Sequence, residues 1–229
     1  MNPLILLPGA LGSKSQFESL QQELNALNLQ NLSLDLAGHG KLPPQPNVVN
    51  VPEMAKAFLQ QLDFQRIDEP INLFGHSLGG YIGLYLCINY PQRINKLFTL
   101  GTKWHWTKEI ASKETSMLVP ESMEQKIPAY ISHLKSIHSL DWKLVVKNIT
   151  HIMNDLGDNL YLEPENLATI EHVVRIGIGD RDTMVSLEES QNTYRALKNG
   201  QLQVFPLTKH PYEKVDIKTL SKAIFDFFN

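Results

Sequence analysis

The chain has one cysteine, Cys87, among 229 residues, so it cannot form an internal disulfide. That thiol lies in the apolar stretch Tyr81 to Ile88, where it reads as a packed, inert side chain and not as a nucleophile. With no disulfide to preserve, a reducing, cytoplasmic location is expected. The same stretch is the longest apolar run, and it is far too short to span a bilayer. Met1-Asn2-Pro3 has no basic segment and Pro8 interrupts Leu4 to Leu7, so no signal peptide is expected. Charge is not concentrated either. Lys and Arg number 21 against 24 Asp and Glu, a formal net charge of −3, with no basic cluster that would suit a nucleic acid. Neither H-E-x-x-H nor C-x-x-C occurs, so no metal or other cofactor is expected. Internal repeats and low-complexity tracts are absent, and oligomeric state leaves no mark. At 42% hydrophobic residues the chain is long enough for one closed core.

What is present centres on Ile71 to Pro91, INLFGHSLGGYIGLYLCINYP. Ile71, Leu73 and Phe74 suit a buried strand, and an apolar helix is predicted from about Leu78 to Asn89. Ser77 falls between them, in Gly75-His76-Ser77-Leu78-Gly79. Glycine on both sides of a serine at a strand-to-helix hinge permits a tight turn that exposes the hydroxyl. The helix that follows points its first amides, Leu78 among them, to the same place.

Around this stretch the pattern alternates. Strands are predicted at Leu4 to Leu7, Leu32 to Leu36, Ile71 to Phe74, Lys96 to Gly101, Val173 to Gly179 and Gln201 to Leu207. Helices are expected around Phe17 to Leu27, from about Glu53, after Ser186 and from Asp216, with a Pro- and Gly-rich loop from Ala37 to Asn50. Six strands alternating with helices predict an α/β fold, a parallel sheet with helices on both faces. Residues 103–170 exceed what one crossover needs. Two amphipathic helices inside it, around Ile127 to Ile137 and Trp142 to Leu156, predict a helical cap inserted into a core of 1–102 and 171–229. In such sheets chemistry gathers beyond the carboxyl ends of the strands. The conspicuous loops here all follow strands: Gly9 to Gly12, His76 to Gly79, Trp104 to Trp106, Asp180 to Asp182, and Lys209-His210.

A serine hydroxyl is a weak nucleophile without a base beside it. Of eight histidines, His210 alone follows the last strand at the productive end of the sheet, and it is the expected base. His133, His138 and His151 fall in the cap helices, as surface or interface residues. An acid must fix the tautomer of that base. Asp182 is preferred to Asp180, because it stands far enough into its loop to reach His210.

The order Ser77, Asp182, His210, with the serine in G-x-S-x-G, resembles the α/β-hydrolase superfamily. LLPGALGS is similar to its oxyanion loop, DLAGHG to its early aspartate–glycine turn, and GDRDTMV to its acid loop. The resemblance implies Ser77 as nucleophile, Asp182 as acid and His210 as base. It implies the backbone amides of Leu78 and Ala10 as an oxyanion hole, with Leu11 the other candidate for the second donor, and structural roles for Asp35 and His39. The chain departs from the family in carrying Pro8-Gly9 where His-Gly is usual, and in beginning almost at its first parallel strand. A three-layer sandwich with a shortened six-stranded sheet, in the order 2-1-3-4-5-6, follows.

The implied reaction is acyl transfer from a small ester-like molecule to water: a carboxylic ester, thioester or lactone with an apolar or aromatic acyl group. Leu11, His76, Trp104 and Trp106 are expected at the substrate, with cap residues such as Met117, Leu118 and Met123. Serine at the elbow argues against the dehalogenase and epoxide-hydrolase branches. A lyase using the same triad to split C–C bonds is the runner-up, and a non-catalytic small-molecule receptor is a more distant reading.

Overall fold

The computed structural model describes residues 2–43, 48–139 and 141–229, so 44–47 of the predicted Ala37–Asn50 loop lie outside the described residues. In β1 (Leu4–Leu7) every residue is buried. Leu4 and Leu6 face one apolar cluster while Ile5 and Leu7 face another, as a strand covered on both sides must. After a 3-10 turn, α1 (Glu18–Ala26) buries Leu20 and Leu24. The edge strand β2 (Asn31–Ser33) is shorter than its apolar pattern suggests. The buried Asp35 carboxylate takes the amides of Lys14 at 2.7 Å and Lys41 at 3.2 Å, and the chain leaves the sheet to supply those donors. α2 (Val51–Phe64) begins a little before Glu53, because the Asn50 side chain accepts from Glu53 N and Pro52 suits the first turn.

β3 (Ile71–His76) leads into α3 (Leu78–Asn89), and β4 (Ile94–Leu100) follows. Then come α4 (Lys108–Thr115), α5 (Pro120–Lys126), α6 (Pro128–Ile137), α7 (Trp142–Asp158) and the short α8 (Pro164–Leu167). Two of these, α6 and α7, are the helices legible in the sequence. β5 (Val173–Gly179), α9 (Leu187–Ala196), β6 (Gly200–Phe205) and α10 (Ile217–Phe228) complete the chain. The N-cap of α10 is Asp216, which accepts from Thr219 N.

All six strands run parallel, in the order β2-β1-β3-β4-β5-β6. α1 and α10 cover the face that carries Leu4, Leu6, Phe74 and Phe98. α2 and α3 cover the other face, and the buried stripe of α7 joins their cluster through Ile149 and Ile152. The order reverses between β1 and β3, so the loop after β1 and the hinge after β3 lie side by side. Among the described residues no helix is long and apolar enough to cross a membrane.

Candidate active site

Ser77 sits at the hinge with φ 49° and ψ −115°, a conformation that L residues rarely adopt. Its surroundings hold it there. Ser77 N–H donates to the Leu100 carbonyl at 2.8 Å, and the Ser77 carbonyl accepts from Gly80 N, Tyr81 N and Thr102 Oγ1. The two flanking glycines are needed for contact: a β-carbon at Gly75 would meet the backbone of Gly80, and one at Gly79 would meet the Leu7 carbonyl. The Ser77 side chain caps nothing. Leu78 opens α3, so its N–H has no partner within the helix.

Two other strand ends converge on the hinge. His210 follows β6, and its Nδ1–H donates to Asp182 Oδ2 at 2.8 Å. Asp182, in the loop after β5, has a side chain only 2% exposed. Its second oxygen, Oδ1, accepts from Met184 N at 2.8 Å and Val185 N at 2.9 Å. Burial opposes its charge, but the bond and charge of His210 and those two amides outweigh burial, holding the carboxyl below its usual range. Asp180 turns elsewhere and accepts from Thr208 N at 3.3 Å.

Ser77, His210, Ala10 and Leu78 share the wall of one pocket of about 490 Å³, part of it open to solvent. Trp106 lines it as well, and donates its indole N–H to the Lys103 carbonyl. The apolar wall comes from Ile149, Ile152, Met153 and Leu156 of α7. Sequence reasoning missed these four as lining residues, although their helical spacing was plain. Met117, Leu118 and Met123 do not line this pocket, and neither do Leu11, His76 or Trp104. Trp104 fastens the loop after β4 to α9, donating Nε1–H to the Glu189 carbonyl while its backbone N–H reaches Glu189 Oε1. Glu189 therefore does not reach back to complete a capping box with Ser186, although Ser186 Oγ accepts from Glu189 N.

His76 lies behind the pocket. Its Nε2 meets the His210 carbonyl at 3.1 Å, and its buried Nδ1 has no hydrogen-bond partner among the described residues. A carbonyl accepts only, so Nε2 carries the proton. Burial, then the neighbouring His210, lowers the pKa of His76 to about 3.

The loop after β1 is held by two further histidines. Leu11 has φ 60°. Its N–H donates to His39 Nε2 at 3.3 Å, and His39 Nδ1 donates to the Ala37 carbonyl at 3.0 Å. The Leu11 carbonyl accepts from His138 Nε2 at 3.0 Å, while His138 Nδ1 accepts from Gly40 N–H at 2.8 Å. An amide can only donate and a carbonyl only accept, so each ring is a neutral, fixed tautomer. Burial lowers the pKa of His39 to about 4 and also lowers that of His138. Of the two placements expected, surface or interface, His138 takes the second, as a buried tie between the α6–α7 junction and the loop after β1. The Leu11 amide is engaged by His39, and Ala10 is the residue of this loop that lines the pocket.

Residues 2–142 match the family model for the alpha/beta hydrolase fold. The chain belongs to this family. It is 34% identical over 100 residues to the esterase YbfF of Escherichia coli, an alignment spanning 43% of this chain and 38% of that protein. It is 28% identical over 137 residues to the sn-1-specific diacylglycerol lipase ABHD11 of Xenopus laevis, spanning 59% of this chain and 39% of the lipase. The alignments thus span about two fifths of the length of these two relatives. The enol-lactonase of Burkholderia xenovorans LB400 shares the fold over 99% of this chain and 91% of its own, with a TM-score of 0.78 at 15% identity.

Proposed function

We propose that the protein is a serine hydrolase that cleaves a small ester-like substrate through an acyl-enzyme on Ser77. The reading is carried by one observation: an imidazole bonded to a buried carboxylate lines the same pocket as a serine held in a strained hinge. Asp182 fixes the His210 tautomer with Nδ1 protonated, which leaves the Nε2 lone pair to take the Ser77 proton. The serine oxygen attacks the carbonyl carbon, and the amides of Leu78 and Ala10 receive the negative charge that develops on the carbonyl oxygen. Each such donor is worth about 3 kcal/mol in the transition state. The tetrahedral adduct collapses by expelling the alcohol or thiol, which takes the proton back from His210. Water, deprotonated by His210, then releases the acid and restores Ser77.

Residues 103–170 serve as a cap in this reading, since α7 supplies the apolar wall against which an acyl or alcohol group packs. Relatives named as an esterase and a lipase support ester chemistry. The test is a panel of 4-nitrophenyl esters of rising acyl length with wild type and Ser77→Ala. Turnover that disappears in Ser77→Ala, with melting temperature unchanged, supports the reading. Substantial residual turnover in that variant refutes it.

A further inference from the structure

Of the charged residues lining the pocket, Glu114 is in the least favourable place for stability. It is 7% exposed, it lies in the last turn of α4 where the helix end is itself negative, and it lines the pocket wall. Its side chain makes no hydrogen bond or ion pair with another of the described residues, and its carboxylate oxygens keep some contact with the solvent in the pocket. A mostly buried carboxylate with no protein donor relies on pocket water for its hydrogen bonds, and a ligand that displaces that water must supply donors in its place. The cation on the same wall does not supply them. Lys103 Nζ stands 3.5 Å from Glu189 Oε2, outside the pocket, so its charge is already answered. Apart from Ser77, His210 and Tyr81, the remaining wall is apolar or aromatic, and no side chain on it bonds to Glu114 among the described residues.

We infer that Glu114 is a substrate-recognition residue, and that the pocket takes molecules carrying a protonated amine on an otherwise apolar body. The inference deepens the hydrolase reading and rests on it for the ester part alone. An alkylammonium entering the pocket brings three N–H donors to a carboxylate that can only accept, at a wall only partly open to solvent. Its methylene groups replace water along Ile149, Ile152 and Leu156, and the Trp106 ring adds an aromatic face to the wall. A substrate with a carboxylate in the same position meets like charge and is disfavoured. Breaking a local stability rule inside a pocket is the pattern expected of a functional side chain.

Isothermal titration calorimetry at pH 7 with hexylamine, hexan-1-ol and hexanoate tests this without any turnover. In wild type, hexylammonium should bind at least about tenfold more tightly than the alcohol or the carboxylate. In Glu114→Gln that advantage should vanish while hexan-1-ol binding is unchanged. Equal binding of amine and alcohol to wild type overturns the inference, and this comparison needs no variant to fold. So does an amine preference that survives Glu114→Gln. A kinetic arm compares the 4-nitrophenyl esters of 4-(aminomethyl)benzoate and 4-ethylbenzoate. Hydrolysis of both with no amine preference sinks the inference and leaves the hydrolase reading intact. Amine binding that depends on Glu114, with neither ester nor the alkyl ester panel hydrolysed, upholds recognition and refutes the hydrolase reading instead.

Discussion

His138 and Leu11 are joined by a hydrogen bond, Nε2–H to carbonyl at 3.0 Å, across 127 residues of sequence. His39 holds the other polar atom of the same residue, so the main chain at Leu11 is gripped from both ends by two uncharged rings. Ala10, whose amide is proposed to receive the oxyanion, is the adjacent residue. The α6–α7 junction and the loop after β1 are therefore tied together at this point.

Replacing His39 with Phe removes the acceptor for a buried amide, at a cost of about 1–3 kcal/mol. The larger effect should be on rate. A loop displaced by a fraction of an ångström should lower kcat between about tenfold and a hundredfold, with little change in KM. His39→Gln, which can restore an acceptor, should recover part of the loss. Steady-state kinetics of wild type and both variants check this, and a pure KM effect would contradict it.

Stability should fall as the solution is acidified from neutrality. His39 and His76 have folded-state pKa values of about 4 and about 3, below the unfolded value of about 6.5. Between those limits the unfolded chain binds protons that the folded chain excludes. Stability is thus complete above about pH 6.5 and declines by about 1.4 kcal/mol per pH unit for each ring as pH drops through the window. Asp182, held below its usual range, works in a different window. Its contribution is present above about pH 4 and is lost only as its own folded-state pKa is passed. Urea midpoints from pH 7.5 to 4.5 measure the slope, and His39→Gln should make it shallower.

Much of this arrangement is legible in the sequence because strand and helix periods repeat cleanly. The Ile71–Pro91 stretch sets β3, the hinge and α3, and the wholly apolar Leu4–Leu7 run can only belong to a sheet covered on both faces. The elements that escape notice have weak or mixed signals. α4 and α5 are short and rich in charge, and β2 is cut short by the needs of Asp35, a long-range effect. His138 could not be told from a surface histidine, since its partners Leu11 and Gly40 are remote in sequence. The two tryptophans look equivalent two residues apart, yet one turns to Glu189 and the other to the pocket.

The two aspartates of the β5 loop should separate by function. Asp182→Asn removes the acceptor that fixes His210 and should reduce kcat by about 10⁴. Asp180→Asn keeps an oxygen that can accept from Thr208 N and removes only a charge near Arg181, so it should change kcat by less than about threefold. Parallel kinetics decide the matter, and a reversed order would assign the acid to Asp180.

Gly75→Ala should be poorly tolerated although alanine is small. The added methyl meets the Gly80 backbone, and relief requires β3 and α3 to move apart. A destabilisation of about 1–3 kcal/mol is expected, with loss of ester turnover because the hinge carries Ser77. Chemical denaturation together with an ester assay provides both readings.

The most direct measurement is intact-protein and peptide mass spectrometry after treatment with a fluorophosphonate, which reacts only with an activated hydroxyl. One adduct is predicted, on Ser77, formed quickly in wild type and at least a hundredfold more slowly in His210→Ala. Wild type left unlabelled at Ser77, or labelled equally fast once the imidazole is gone, would contradict the account.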